Sequence, residues 1–206
     1  MFRNLSNFFS VSFLLLCLLG TARGLDSRFV LIDVNVYNDA KVSSVTMRRA
    51  EELAGRVLQC AGVHVLWNDG QPSRNPSLSE PEGNPAAKFL LRIVPHSRNL
   101  ADSVFGVSFL GTDNSGRYGD IFYAAAERLS ETAHINLADV LGHVIAHELG
   151  HLLLGTNAHS PQGIMRPHWS SEELHSLAMG RLLFTPEQAQ SIRDRATQPL
   201  TAALTR

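Results

Sequence analysis

Cysteine is nearly absent from this sequence, with only Cys17 and Cys60 in 206 residues. A disulfide-built scaffold is therefore excluded. No sign of charge dominates, since 18 Lys and Arg face 19 Asp and Glu. That near-balance lacks the basic surplus of a nucleic-acid binder or of a protein held to anionic lipid. Long apolar runs are missing too. The longest, Phe13–Leu19, is too short to span a bilayer. Internal repeats are not found, and nothing marks a second domain. What remains is a chain of 44% hydrophobic and 18% charged residues, the balance of a globular protein with one real core.

The N-terminus reads differently from the rest. Arg3 gives a positive start, Phe8 to Leu19 is mostly apolar, and Ala22-Arg23-Gly24 sets small residues where a leader peptidase cuts. Residues 1–24 are expected to be a signal peptide cleaved after Gly24, with an uncleaved anchor as the alternative. Cys17 follows Leu14-Leu15-Leu16 and lacks the small residue that precedes a lipid-modified cysteine. The expected product is a secreted or periplasmic monomer, residues 25–206, free of the membrane and of nucleic acid. Residues 1–24 hold two of the 18 basic residues and no acid, so the remainder carries a formal charge of −3. Cys60 is then its sole cysteine, expected as a buried thiol closing a helix.

Element signals follow in order along that domain. Phe29–Val36 is rich in β-branched residues and reads as a strand. From Ser43 to Cys60, Val45, Ala50, Leu53, Ala54, Val57 and Leu58 fall at helical spacing, and Ala61-Gly62 closes the helix. Val63–Trp67 is a second strand. Strand, helix, strand predicts a βαβ unit with parallel pairing. Asn68–Ala87 contains Pro72, Pro76, Pro81 and Pro85 and reads as an exposed loop. Lys88–Val94 is a third strand. Val104–Leu110 and Asp120–Ala124, separated by the Gly/Asp/Asn turn of residues 111–119, read as a hairpin or an edge.

The chemistry concentrates further on. A helix is predicted from Leu137 or Ala138 to Leu154, capped by Asn136. It carries His147-Glu148-Leu149-Gly150-His151, the pattern H-E-x-x-H. Residues four apart share a helix face, so both imidazoles can reach one metal ion. Glu148 stands about 100° around the helix, where a base can take a proton from a zinc-activated water. The helix is apolar nearly all round, with Leu141, Ile145, Leu149 and Leu152 on one side and Gly142, Ala146 and Gly150 forming a stripe of small residues. Such a helix is buried. Buried imidazoles need partners, which a metal supplies. Catalytic zinc takes three protein ligands. Gly155 is suited to end the helix and turn the chain, and His159 follows. Glu172 and Glu173 are alternative third ligands, although acids in the first turn of a helix are favoured by its dipole anyway. His143, one turn before His147, is expected to pack or orient rather than ligate. Ser171–Met179 and a stretch from Thr185-Pro186-Glu187 read as the last two helices.

The stretch from His147 through Gly155, His159-Ser160 and Met165-Arg166-Pro167 resembles the metzincins, zinc endopeptidases with H-E-x-x-H-x-x-G-x-x-H and a downstream methionine turn. The matrix metalloproteinases look closest in wording. The offsets differ from the pattern: glycine and third ligand come four and eight residues past His151 instead of three and six. Asn157 stands at the expected ligand position, and His159 is preferred because imidazole is the better zinc donor. The resemblance implies an α+β zincin fold: a small, mixed, mostly parallel twisted sheet with the active-site helix buried beneath it. It implies one Zn2+ on His147, His151 and His159, Glu148 as catalytic base, and Met165 as the floor under the metal. His168 and Trp169 would line the specificity pocket, and one of the two hairpin segments would border the cleft. The expected function is a secreted zinc-dependent endopeptidase acting on protein or peptide substrates. The alternatives are a non-catalytic zinc-containing peptide-binding protein and a zinc amidase acting on cell-wall peptides.

Overall fold

The computed structural model describes residues 29–69, 87–101 and 103–197. The expected signal peptide and residues 70–86 of the expected proline-rich loop lie outside the described residues.

Five strands form one sheet. They are β1 (Val30–Asn38), β2 (Val63–Asn68), β3 (Ala87–Val94), β4 (Gly106–Phe109) and β5 (Tyr118–Phe122), ordered β2-β1-β3-β5-β4. All pairs are parallel except β4 with β5. The βαβ expectation is met: α1 (Ser44–Cys60) crosses from β1 to β2, with Val34 in register with Trp67. Strand alternation divides the sheet into two faces. Ile32, Val34, Phe89, Leu91, Ile93 and Ile121 are buried on one face. The opposite face carries Asp33, Lys88, Arg92 and Asp120, with Arg92 donating to both Asp39 and Tyr118. Among the described residues, α1 and α3 pack on the apolar side.

Beneath that side lies α3 (Leu137–Leu154), against α1, β4 and β5. Its start and end are as the sequence predicts. The Asn136 Oδ1 accepts from the Ala138 amide at 2.9 Å, and Gly155 closes it at φ 63°. By length and composition α3 could cross a membrane, but most of its surface is buried in this fold. The small-residue stripe serves two neighbours. A Cβ at Gly142 would lie 2.8 Å from the Ala50 carbonyl oxygen, so here glycine admits the backbone of α1. At Gly150 the intruders are side chains, Met165 Sδ at 2.6 Å and the Phe184 ring at 2.7 Å from such an atom. Overpacking of this kind costs about 1–3 kcal/mol, against the ~1 kcal/mol that alanine gains over glycine within a helix. Gly150→Ala is therefore expected to lower stability in urea unfolding, with an unchanged m-value.

Three expectations are corrected. The segment Asp120–Ala124 is not all strand: β5 ends at Phe122, and α2 (Tyr123–Ala133) starts immediately afterwards. Tyr118 and Gly119, expected in the turn, belong to β5. Cys60 is exposed, not buried. The inward face of α1 runs through Met47, Ala50, Leu53, Ala54, Val57 and Leu58 to Ala61, and Cys60 falls off it. For the same reason Val45 is 66% exposed while Met47 takes its place inside. The last helices, α4 (Ser171–Ala178) and α5 (Pro186–Thr197), begin where expected. Thr185 and Gln188 cap α5 reciprocally.

Candidate metal centre and active site

The end of α3 and the loop after it are tied together by two imidazoles. His147 Nδ1 donates to the Ile164 carbonyl at 2.7 Å and His151 Nδ1 to the Thr156 carbonyl at 2.8 Å. A carbonyl oxygen can only accept, so each Nδ1 carries the hydrogen. Burial, and for His147 the neighbouring His151, holds both rings below the usual histidine range, His147 at about 3. Both rings are therefore neutral near pH 7, and each Nε2 is a bare lone pair. Those two Nε2 atoms face each other at 3.0 Å.

Without a proton between them, two lone pairs at that distance repel. A cation removes the conflict. Two nitrogens each ~2.1 Å from one tetrahedral ion stand about 3.4 Å apart, close to the spacing seen here. This set of donors fits zinc.

His159 comes to the same place. Its ring centroid lies 4.9 Å from that of His151 and 5.4 Å from that of His147. Ligand atoms of the three histidines all fall within 4.8 Å of one another. The other sequence candidates do not join them. Glu173 is engaged by the cap of α4 at Ser170 and by Arg166 at 2.8 Å, which hold its carboxyl at about 2. Glu172 is exposed in the first turn of α4, and Asn157 is exposed on the cavity wall. His143 is fully buried, donates to the Asp139 carbonyl at 2.7 Å, and turns an edge to Trp169. It is a core histidine outside the cluster.

The loop that carries His159 closes on itself. The Ser160 amide donates to the Met165 carbonyl, and Ile164 donates to Leu183. Met165, 1% exposed, lies under the helix in the space that Gly150 leaves. The Ile164 carbonyl accepts from Trp169 Nε1 as well as from His147. One oxygen thus orients both a candidate ligand and an aromatic wall. Trp169 stacks on Phe105 with centroids 5.8 Å apart. These rings, Val104 and Val144 line a cavity of about 390 Å3 that opens on the histidines. His168 lines it too.

Glu148 borders the same cavity, with 4% of its surface exposed. Burial pushes its carboxyl up to about 7, against the pull of a hydrogen bond from Ser108. The Ser108 Oγ lies 2.8 Å from Glu148 Oε2 and 2.8 Å from the Glu148 carbonyl oxygen. Gly106, two residues before it on the same face of β4, leaves the room that the carboxyl occupies. A Cβ there would stand 2.7 Å from the carboxyl carbon. Sequence reading does not single out either residue. The available signal is small side chains at alternate positions, Gly106 and Ser108, inside the otherwise apolar Val104–Leu110.

No family model matches the sequence, and no curated protein matches it. Twenty-three chains among solved structures do match the fold. One is a zinc-dependent peptidase from Methanocorpusculum labreanum, with TM-score 0.51 and 20% identity over 77% of this chain and 99% of that chain. Another is the archaemetzincin of Methanopyrus kandleri, with TM-score 0.49 and 17% identity over 86% of this chain and 99% of that one. The first likeness is one of architecture. This chain has a mixed α+β, mostly parallel zincin-like fold.

Proposed function

We propose that this protein is a secreted, zinc-dependent endopeptidase of the metzincin kind, with His147, His151 and His159 as ligands and Glu148 as general base. The observation that carries the reading is the pair of Nε2 atoms facing each other at 3.0 Å with His159 beside them, an arrangement that a shared cation satisfies. When bound, zinc would polarise a peptide carbonyl and lower the pKa of water. The rest belongs to the chain. His147 and His151 are fixed in one tautomer by the carbonyls behind them. Glu148 is held as a buried carboxyl at about 7, suited to take a proton from the attacking water and to release it to the departing amine. Among the described residues β4 is an edge strand, along which an extended peptide can lie, and Phe105 with Trp169 lines one side of the cavity. A merely structural zinc site needs no such carboxyl. The apolar run near the N-terminus supports export.

The test combines metal analysis of the purified protein with hydrolysis of a peptide library and of cell-wall fragments. Bound zinc and internal cleavage of peptides are expected. Zinc without cleavage would leave a binding protein, and cleavage of cell-wall fragments alone would leave an amidase. Gly106→Ala offers a sharper check. The added methyl meets the flexible end of Glu148 rather than backbone, so the fold is expected to survive while the base is displaced. A kcat loss of about 10–100-fold with normal zinc content is expected, measured by steady-state kinetics and metal analysis.

A further inference from the structure

Ser108 has a single hydroxyl hydrogen, yet two acceptors stand at 2.8 Å from its oxygen, both belonging to Glu148. One is the carboxyl Oε2 and the other the backbone carbonyl. The serine is 6% exposed and the glutamate 4%, so little of either side chain meets bulk water. A buried carboxyl that takes and gives up a proton needs a partner that suits both forms. As a carboxylate it needs a donor, and as an acid it still offers one acceptor oxygen beside its own O–H.

A hydroxyl that donates to one carboxyl oxygen satisfies both. While Glu148 is ionised, Ser108 donates to Oε2. When Glu148 takes a proton from water, an O–H bond forms at Oε1, and the electron pair of the broken bond stays on the attacking oxygen. Oε2 remains an acceptor for the Ser108 hydroxyl. When the proton leaves for the amine nitrogen, that hydrogen bond is still in place, and no polar group is left bare in either state.

We propose that Ser108 is a positioning residue that holds the Glu148 carboxyl in place through a hydrogen bond to Oε2, leaving Oε1 for the proton. The role rests on the peptidase reading above. It also assigns the edge strand a second task. Gly106 and Ser108 on its inner face hold the base, while among the described residues its outer edge is left for substrate.

The experiment compares zinc-loaded wild type, Ser108→Ala, Ser108→Thr and Glu148→Gln, together with the Ser108→Ala/Glu148→Gln double variant, on one peptide that the wild type cleaves. Expected for Ser108→Ala is a kcat lowered about 10–100-fold, with KM within about twofold and zinc content and melting temperature close to wild type. Ser108→Thr, which keeps the hydroxyl, is expected to restore most of the turnover. Adding Ser108→Ala to Glu148→Gln should cost little more, since the serine acts only through that carboxyl. An unchanged kcat in Ser108→Ala overturns the proposal while leaving the peptidase reading intact. So do a loss confined to KM or zinc content, and a full additive loss in the double variant. A wild type that cleaves nothing overturns both.

Discussion

Replacing His159 with Ala is expected to weaken zinc binding by more than about 100-fold. Partners that only orient a ligand are already worth about 10–100-fold in affinity, and a direct donor is worth more. The expectation depends on how the chain reaches the cluster. Gly155 takes a left-handed turn at the end of α3, the next residues give His151 its carbonyl partner at Thr156, and His159 arrives beside both helical rings. Asn157 lies exposed on the same cavity wall, but an amide is a poor donor to zinc. Competition against a zinc-binding dye would measure the affinity of wild type, His159→Ala, Asn157→Ala and Glu173→Ala. Only His159→Ala should fall. Normal affinity in that variant with a loss in Glu173→Ala would mean that the third donor comes from α4, against the cap and ion pair that engage Glu173 here.

Much of this site is legible along one short stretch of chain. Asn136, the H-E-x-x-H spacing, Gly155 and Met165 are local signals: a cap, a helical period, a left-handed turn, and a methionine in a turn. Local signals of that kind also announce the βαβ unit and the starts of α4 and α5. What stays hidden depends on contacts between distant segments. The bond from Ser108 to Glu148 joins residues 40 apart, and only the strand order brings them together. The strand order itself, with β3 between β1 and β5, depends on a packing competition that no single segment records. Tyr123–Ala133 is missed because it begins within an apolar run that also suits a strand. Its helical residues Ala125 and Ala126 are buried, but Leu129 is only partly so, and the period is weak. Cys60 and Val45 show the opposite error, in which hydrophobicity is taken for burial although the helix phase points them outward.

Glu148→Gln is expected to keep the zinc and lose about 10²–10⁴-fold in kcat, the range associated with removing a general acid–base group. The same variant makes a second prediction in the zinc-free protein. The carboxyl is buried and its folded pKa is raised to about 7 from 4.5. The folded state thus holds a proton that the unfolded state releases first. The stability linked to this group is full below about pH 4.5 and is lost as the pH rises to about 7 and beyond. A shift of this size corresponds to about 3 kcal/mol. His147, whose pKa is lowered to about 3, acts in the other direction, losing its stability as the pH falls from about 6.5. That histidine is common to both proteins, so it largely cancels when they are compared. Urea unfolding of the chelated proteins should find Glu148→Gln close to wild type at pH 4 and up to about 3 kcal/mol more stable at pH 8. A gap that fails to widen with pH would mean that the carboxyl is not desolvated as its position implies. Restoring zinc should narrow the gap, because a neighbouring cation favours the ionised carboxylate that burial opposes. The two measurements converge on one cause: the fold holds an acid where water cannot solvate its charge, which lowers stability and makes that acid a base.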